Sequence, residues 1–559
     1  MTSYEDRPWL KLYAAGVPAN IDTDEFPTIV DLINESMAKY ANRIAFTCFG
    51  RDLKYKELDK KSILFGQYLI SRGLQPGDRV ALMSPNILQY PIALLGCVRA
   101  GLIVVNTNPL YTPREMEHQF NDSGAKAILI ADNFAGNLEK IISKTSIKVV
   151  ITTSVGEMAG LLKGKMIDTV LKVKGSRPKF NIPNTVTFSQ AIAGGKKFKL
   201  SEFTNEPDDV ILLQYTGGTT GVAKGAMLTN KNLVSNMLMI RAILDAFLKS
   251  DEPKNALCPL PMYHIFAFTV HSLTMMALGH RNILIPNPRD LKSFTKEFNN
   301  YPIHLMTGVN TLFNALINNE GFTKLDFKNL LVTIGGGTAV QQAVAKKWQE
   351  VTGCQLTEGY GLTETSPVAS VNPVDGRARL GMIGLPAPST IMRVVNEAGQ
   401  VLPPGEPGEI QIKGPQVMKG YYNRPDATAE TIKDGWLCSG DIGLMHPDGF
   451  FQIVDRQKDM INVSGFNVYP NEIEEVVMEC EKVLEVAAVG KEHAKSGECV
   501  VLYVVKKDNS LTKEELIKHC RENLTGYKIP KEVHFKEELP KTNVGKILRR
   551  LLKEEAAKG

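Results

Sequence analysis

A chain of 559 residues, 43% hydrophobic and 22% charged, is long enough for more than one buried core and has the balance of an ordinary globular protein. Its formal net charge of +5 is small for that length, which excludes a nucleic-acid footprint and leaves an anionic membrane surface open as a partner. Eight scattered cysteines with no Cys-x-x-Cys pair, and nine histidines with no paired-ligand spacing, point to idle thiols in a reducing cytoplasmic setting and against a protein-held metal.

In chain order, the opening MTSYEDRPWLKLY has acids and no apolar run, so it does not read as a signal peptide. Tyr90 to Val105 is the most apolar early stretch; Arg99 interrupts it, it is too short to span a bilayer, and it predicts a buried helix leading into a strand. Up to about residue 390, apolar runs alternate with helical patterns: RVALMSP (79–85), LIVVNTN (102–108), AKAILIAD (125–132), VVITT (149–153), NILIP (282–286) and LLVTIGGG (330–337). Runs that end in Asn, Asp, Pro or Gly predict buried parallel strands with sites at their C-terminal ends.

Val210 to Leu213 predicts a strand end that runs into YTGGTTGVAKG (215–225), which holds four glycines, three threonines and one lysine. Such a segment cannot pack a core, but its N–H groups and hydroxyls can wrap a polyphosphate. It is not a Walker A loop, because Ala223 precedes Lys224 and Gly225 follows it. NALCPLPMYH (255–264) predicts an apolar strand ending at His264, and Gly335–Gly336–Gly337–Thr338 predicts a loop that lets backbone approach a flat ring. EGYGLTE (358–364) sets an aromatic ring, a hydroxyl and two carboxylates side by side.

From Val371 to Lys433 the chain turns Pro/Gly-rich with short alternating runs, TIMRVVN and GEIQIKG, which predict a small β-subdomain. WLCSGD (436–441) and Asp455–Arg456 follow. Beyond them, an acidic amphipathic helix at Asn471 to Glu481, strands at Val486 to Val489 and Cys499 to Val505, and a helix at Lys513 to Asn523 predict an α+β domain of about 100 residues. The expected fold class is therefore multi-domain α/β. A large N-terminal domain (1–457) of α/β sheets plus the β-subdomain precedes a small mobile C-terminal domain (458–559), with the charged run Arg456–Gln457–Lys458 as hinge. Singly, the chemistry-bearing residues have plain readings: His264 as a core histidine, Tyr360 as packing, Asp441 as a turn cap, and Lys546, Arg549 and Arg550 as a solvated basic helix start.

Together, YTGGTTGVAKG, PMYH, GGGT, EGYGLTET, WLCSGD, DRQKDMI and KTNVGKILRR stand in the order of the acyl-adenylate-forming superfamily, which the chain resembles from about Asp22 to Lys558. NPLYTPREMEHQFNDSGA, KGPQVMKGYYNRPDAT and VSGFNVYPNEIEEVV resemble most the bacterial long-chain fatty-acid–CoA ligases. The resemblance implies two half-reactions. A carboxylate attacks the α-phosphate of ATP to give acyl-AMP and pyrophosphate, and coenzyme A then expels AMP.

It implies that Thr216, Gly217, Gly218, Thr219, Thr220, Gly221 and Lys224 cradle the β- and γ-phosphates, and that Gly335, Gly336, Tyr360 and Gly361 flank the adenine. Thr363 would reach the α-phosphate, Glu364 would help hold Mg²⁺, Asp441 and Arg456 would take the ribose, and His264 would stand between nucleotide and carboxylate. Lys546 would carry the first step, Lys458 would be the pivot, and Gly465 would line the coenzyme A path. Departures from the family pattern are Ser439 in place of Thr, Gln457 within the hinge, and Asn230 where relatives carry His.

The expected partners are a long-chain fatty acid, ATP, coenzyme A and Mg²⁺, with no nucleic acid. Alternatives are a medium-chain or aryl acid–CoA ligase on the same scaffold, or an acyl-AMP ligase loading a carrier protein. His264 to Leu278 and Thr307 to Leu316 are the candidate walls of an alkyl tunnel. Peripheral contact with the cytoplasmic face of the inner membrane follows from substrate insolubility; a homodimer is left open.

Overall fold

The computed structural model describes residues 4–200, 203–216, 223–248, 252–493, 495–542 and 545–558. Among them the apolar runs form strands where the sequence predicts them. Arg79–Met83, Ile103–Asn106, Ala127–Ala131 and Val149–Thr153 lie parallel, with Val210–Thr216 beside them, in an eight-stranded sheet. Ile44–Cys48, Asn255–Cys258, Arg281–Leu284, Leu305–Gly308, Val332–Gly335 and Leu356–Gly361 form the parallel part of a nine-stranded sheet. Strands covered on both faces have no solvent side, which is why these runs are continuously apolar. The buried helix Gln89–Arg99 leads into Ile103–Asn106, as Tyr90 to Val105 predicts.

Two boundaries differ. The strand before His264 stops at Cys258, because Pro259 and Pro261 have no N–H to donate to a ladder. His264 instead opens the helical run that begins at Ile265, its Nδ1 accepting from the Phe266 N–H at 3.4 Å. The β-subdomain also runs past Lys433. Ile391–Val395, Gly408–Lys413, Ile432–Lys433, Trp436–Met445 and Phe451–Arg456 make one five-stranded antiparallel sheet. WLCSGD and Asp455–Arg456 are thus neighbouring strands of this sheet.

The next strand, Ile461–Val463, belongs to a separate five-stranded sheet with Phe466–Val468, Val483–His493, Gly497–Lys506 and Glu532–Lys536. Helices Pro470–Met478, Lys513–Asn523 and Arg549–Lys558 pack on it. The molecule is therefore α/β, with a large N-terminal part and a small α+β C-terminal part. The small part sits at the C-terminal ends of the nine-stranded sheet, where open α/β sheets hold ligands. Asn314 Nδ2 donates to the Leu484 carbonyl at 2.7 Å and Thr311 Oγ1 to the Gly545 carbonyl at 3.0 Å. Phe313, Val344 and Trp348 share a buried cluster with Ile473 and Val477.

Candidate active site

The β-subdomain supplies one wall. Antiparallel register sets Asp441 opposite Arg456, and Arg456 Nε lies 3.1 Å from Asp441 Oδ1. Tyr360 reaches over from the nine-stranded sheet and donates its hydroxyl to Asp441 Oδ2 at 2.7 Å. Ser439 Oγ accepts from the Asp441 N–H at 3.1 Å and donates to the Ile410 carbonyl at 2.6 Å. The hydroxyl that Ser439 keeps thus holds the backbone of Asp441; no partner of that hydroxyl needs the methyl a threonine would add.

Glycines make the floor. A β-carbon on Gly361 would meet the Pro367 carbonyl at 1.8 Å, so no side chain fits there. One on Gly336 would stand 3.0 Å from the Gly359 carbonyl and 3.2 Å from the Phe266 ring. Gly335 ends the strand Val332–Gly335 beside them. Gly337 has a φ of +78°, open to glycine at little cost, and the end of the Lys546 side chain lies over it: a β-carbon there would be 3.5 Å from Lys546 Cε and 3.9 Å from Nζ.

Lys546 arrives on a short turn. Its N–H donates to Thr542 Oγ1 at 3.0 Å, Gly545 N–H donates to the Thr542 carbonyl at 3.0 Å, and Lys541 bridges Ile547. Burial and the charge of Arg456 lower the Lys546 ammonium to about 8, while Asp441 and Glu364 pull the other way. Burial, and secondarily the charge of Lys546, lower His264 to about 3, which leaves its imidazole neutral at pH 7. Lys546, His264, Arg456, Asp441, Tyr360, Glu364 and the Gly335–Gly337 loop therefore share one site.

The phosphate-loop strand enters from the eight-stranded sheet. Thr216 and Lys224 are register partners across its hairpin; Gly217, Gly218, Thr219, Thr220 and Gly221 lie outside the described residues. Lys224 Nζ stands 5.1 Å from the Tyr421 ring centroid, and the Tyr421 hydroxyl donates to Glu364 Oε1 at 2.6 Å. Glu364 follows Thr363 in a short 3₁₀ turn. Among the described residues no group of three or more His, Cys, Asp or Glu side chains could hold a metal by itself. One carboxylate near Lys224 fits a Mg²⁺ that keeps few protein ligands.

The sequence reading left two residues, Tyr421 and Asp455, without a role and misjudged a third, Arg549. Tyr421, which orients Glu364, has no motif of its own. Asp455 is buried and caps the helix Pro470–Met478, accepting from Asn471 N–H at 2.9 Å. Burial raises its carboxyl to about 6, and the charge of Arg549 pulls it back. Arg549, expected to be a solvated base, instead donates to Glu474 at 2.6 and 3.2 Å and to Asn471 Oδ1 at 2.8 Å. Arg550 does stay exposed, 3.7 Å from Glu554. Asn230 is a structural tie, accepting from Ile29 N–H at 3.0 Å and donating to the Glu206 carbonyl at 2.9 Å.

Of two further assigned residues, Lys458 borders this cluster, within the field of Arg456 and Asp441, and Gly465 lies on a hairpin beyond it. Lys458 is exposed in the link between the last strand of the β-subdomain and the first of the C-terminal sheet. Gly465, φ +84°, forms the tip of the hairpin Ile461–Val463/Phe466–Val468, with no heavy atom within 4 Å of a β-carbon placed on it.

Comparison with known proteins agrees with this geometry. Residues 33–422 match the AMP-binding enzyme family and residues 472–546 the AMP-binding enzyme C-terminal domain. A Long-chain-fatty-acid–CoA ligase of Escherichia coli O6:H1 is 52% identical over 550 residues, 98% of each chain. A Feruloyl-CoA synthase of an Amycolatopsis species is 32% identical over 509 residues, 89% of this chain and 93% of the relative. The crystal structure of ATP-bound MatB from Rhodopseudomonas palustris superposes with a TM-score of 0.80 at 27% identity, covering 94% of this chain and 98% of that one. With both family models matched in order and a full-length relative sharing half its residues, this chain belongs to the AMP-binding enzymes.

Proposed function

We propose that the chain is an ATP-dependent long-chain-fatty-acid–CoA ligase. The observation that carries this reading is the lodging of Lys546, from the small C-terminal part, on Gly337 beside His264 and within the field of Asp441 and Glu364. A carboxylate oxygen attacks the α-phosphorus of ATP, the bond to the bridging oxygen breaks, and pyrophosphate leaves. The thiolate of coenzyme A then attacks the acyl carbonyl carbon and AMP leaves. The Lys546 ammonium binds the fatty carboxylate and the α-phosphate oxygens as negative charge builds on them; one such donor contributes roughly 10²–10³ in rate.

Thr216, the glycines and threonines of 217–221 and Lys224 receive the β- and γ-phosphates, and Thr363 the α-phosphate. Gly335, Gly336, Tyr360 and Gly361 sandwich adenine, and Asp441 with Arg456 accepts the ribose. Glu364, held by Tyr421, is the protein's ligand for Mg²⁺, which when bound offsets phosphate charge. Neutral His264 stands at the mouth of the acyl site. Its walls are the helical run from Ile265 to Ala277 and the segment from Thr307; His271 Nε2 and Thr307 Oγ1, 2.9 Å apart, tie them together. Identity of 52% to a long-chain ligase, against 32% to a feruloyl enzyme, supports an alkyl over an aryl substrate.

Residues 1–457 and 458–559 are two bodies that pivot at Lys458 between half-reactions, withdrawing Lys546 and bringing Gly465 to the pantetheine arm. Work at a membrane surface suits an insoluble acid; among the described residues no helix is long and apolar enough to cross a membrane. Self-association is a separate question, answered by light scattering.

The test is pyrophosphate release with ATP, Mg²⁺ and a panel of acids, with and without coenzyme A. Palmitate-dependent release, about a hundredfold or more lower in Lys546→Ala, is expected. Preference for benzoates or short acids would refute the long-chain assignment, and release that survives in Lys546→Ala would refute the catalytic one.

A further inference from the structure

We infer that the helix Leu161–Val173 is a docking surface for an anionic lipid bilayer. The inference deepens, and rests on, the membrane contact proposed above. Its observation is independent of the active site. Twelve large hydrophobic side chains are exposed among the described residues, and five of them, Leu161, Leu162, Met166, Val170 and Val173, fall within these 13 residues. Singly exposed apolar residues are ordinary, but a contiguous set marks an interaction site.

The helix is inverted relative to a normal surface helix, which turns its apolar stripe to the core. Gly164 is its only buried residue. At 3.6 residues per turn, Leu162, Met166, Val170 and Val173 stand on one face, and Gly164, Asp168 and Leu171 on another. The second face is the one held to the protein. A β-carbon on Gly164 would meet the Gly156 carbonyl at 2.3 Å, and Asp168 accepts from Ser154 Oγ at 2.6 Å and Gly156 N–H at 3.0 Å. Arg177 adds an ion pair to Asp168 at 3.7 Å. The polar, glycine-tight side is therefore anchored and the apolar side left in solvent, at exposures of 88% for Leu162 and 82% for Val173.

Charge selects the occupant. Lys165 and Lys172 flank the apolar stripe on one side and Lys174 on the other, where Lys163 gives its ammonium to the Phe49 carbonyl, and the one acid of the segment, Asp168, is consumed by its contacts with the protein. An apolar stripe between rows of lysine is the pattern of a helix lying in the headgroup layer. A second copy of this chain would bring the same lysines against these, so self-association through this face is opposed by its own charge. At 13 residues the helix lies on the bilayer and does not cross it.

The test is co-sedimentation of the full-length protein with vesicles of phosphatidylglycerol and phosphatidylcholine, against phosphatidylcholine alone. The wild type is expected to bind the anionic vesicles and to be released by salt. A Lys165→Glu/Lys172→Glu variant should bind about 25-fold more weakly or worse, since each lysine at such a surface contributes about fivefold. Leu162→Ser/Met166→Ser/Val173→Ser should lose about tenfold or more through apolar contact. All these side chains are exposed, so the fold is expected to persist, as circular dichroism would report. Absence of wild-type binding, or variants that bind as well as wild type, overturns the proposal. So does a wild-type dimer that the serine variant converts to monomer. Pyrophosphate release with palmitate held in solution by serum albumin, in vesicle-free buffer, reads the ligase function separately: its absence would sink that reading and leave the sedimentation result standing.

Discussion

Arg549 ties the last helix of the C-terminal part to the helix Pro470–Met478 of the same part, and its removal tests whether this contact holds Lys546 in place. Arg549 side-chain nitrogens make contacts of 2.6 and 3.2 Å to Glu474 and 2.8 Å to Asn471, with side chains 23% and 10% exposed for Arg549 and Glu474. Breaking a buried pair by deleting one partner costs about 3–5 kcal/mol, because the other charge is stranded. Two features bring Arg549→Ala to the low end, about 3 kcal/mol: Arg549 is partly solvated, and Glu474 Oε1 keeps the Ala488 N–H at 2.8 Å.

The readout is amide exchange in the helix Pro470–Met478, measured by mass spectrometry. A loss of about 3 kcal/mol in local opening makes that segment exchange about a hundredfold faster. Arg549→Met/Glu474→Met, which leaves no charge behind, should recover most of the protection. Arg549 begins its helix three residues after Lys546, so Arg549→Ala should also slow pyrophosphate release by about tenfold through misplacement of the ammonium. Exchange within about threefold of wild type in Arg549→Ala, or a double variant as labile as the single, would refute this account.

Lys458→Pro should preserve acyl-AMP formation and depress thioester formation by about tenfold or more, because the proposed pivot changes the backbone angles of the link between half-reactions; equal loss of both steps, measured by pyrophosphate and thioester assays, would reject the pivot. Lys546 titrates near 8 and acts only when protonated, so kcat/KM for pyrophosphate release should fall as pH rises through that value. In Lys546→Arg, whose side chain stays charged, the limb should vanish; a limb unchanged in the variant would assign it to another group. Tyr421→Phe removes the 2.6 Å hydrogen bond to Glu364 and should raise the Mg²⁺ concentration for half-maximal release about three- to tenfold, while an unchanged Mg²⁺ curve would separate Glu364 from the ion.

The strands were legible because burial on both faces leaves a continuous apolar run with a turn residue at its end, a signal carried by neighbours in sequence. The strand Val332–Gly335 with its Gly-Gly-Gly exit shows this well. Boundaries failed where a local rule overrode the pattern, as when Pro259 and Pro261 ended the strand before His264. The residues that the structure gathers around Lys546, namely Tyr360, Asp441, Arg456 and Gly337, were singled out together because the resemblance supplies their order. Arg549 was not legible at all. A basic residue that begins a helix near the chain end looks the same whether it faces water or a buried glutamate, and Glu474 lies 75 residues earlier. Tyr421 is similar: its phenol meets a carboxylate 57 positions away, and nothing adjacent to it changes. The inverted helix Leu161–Val173 was overlooked for the opposite reason, since an apolar stripe reads as core until the fold shows which face is anchored.

The same contacts explain why the site needs its ligand. Asp441 already takes the Tyr360 hydroxyl and the Arg456 guanidinium, and Glu364 takes the Tyr421 hydroxyl. Both acids near Lys546 are thus partly occupied by neighbours, while Arg456 adds like charge. Burial first, and then that like charge, push the ammonium down to about 8. Lys546 is therefore poorly compensated by the protein alone, although its turn, its glycine floor and its docking residues are in place. In the proposed reaction a phosphate and a carboxylate supply the missing negative charge, and the charge that grows on them during attack falls where the cation already stands. Little reorganisation is then left for the reaction itself, which is the condition under which a fixed charge accelerates chemistry instead of only binding.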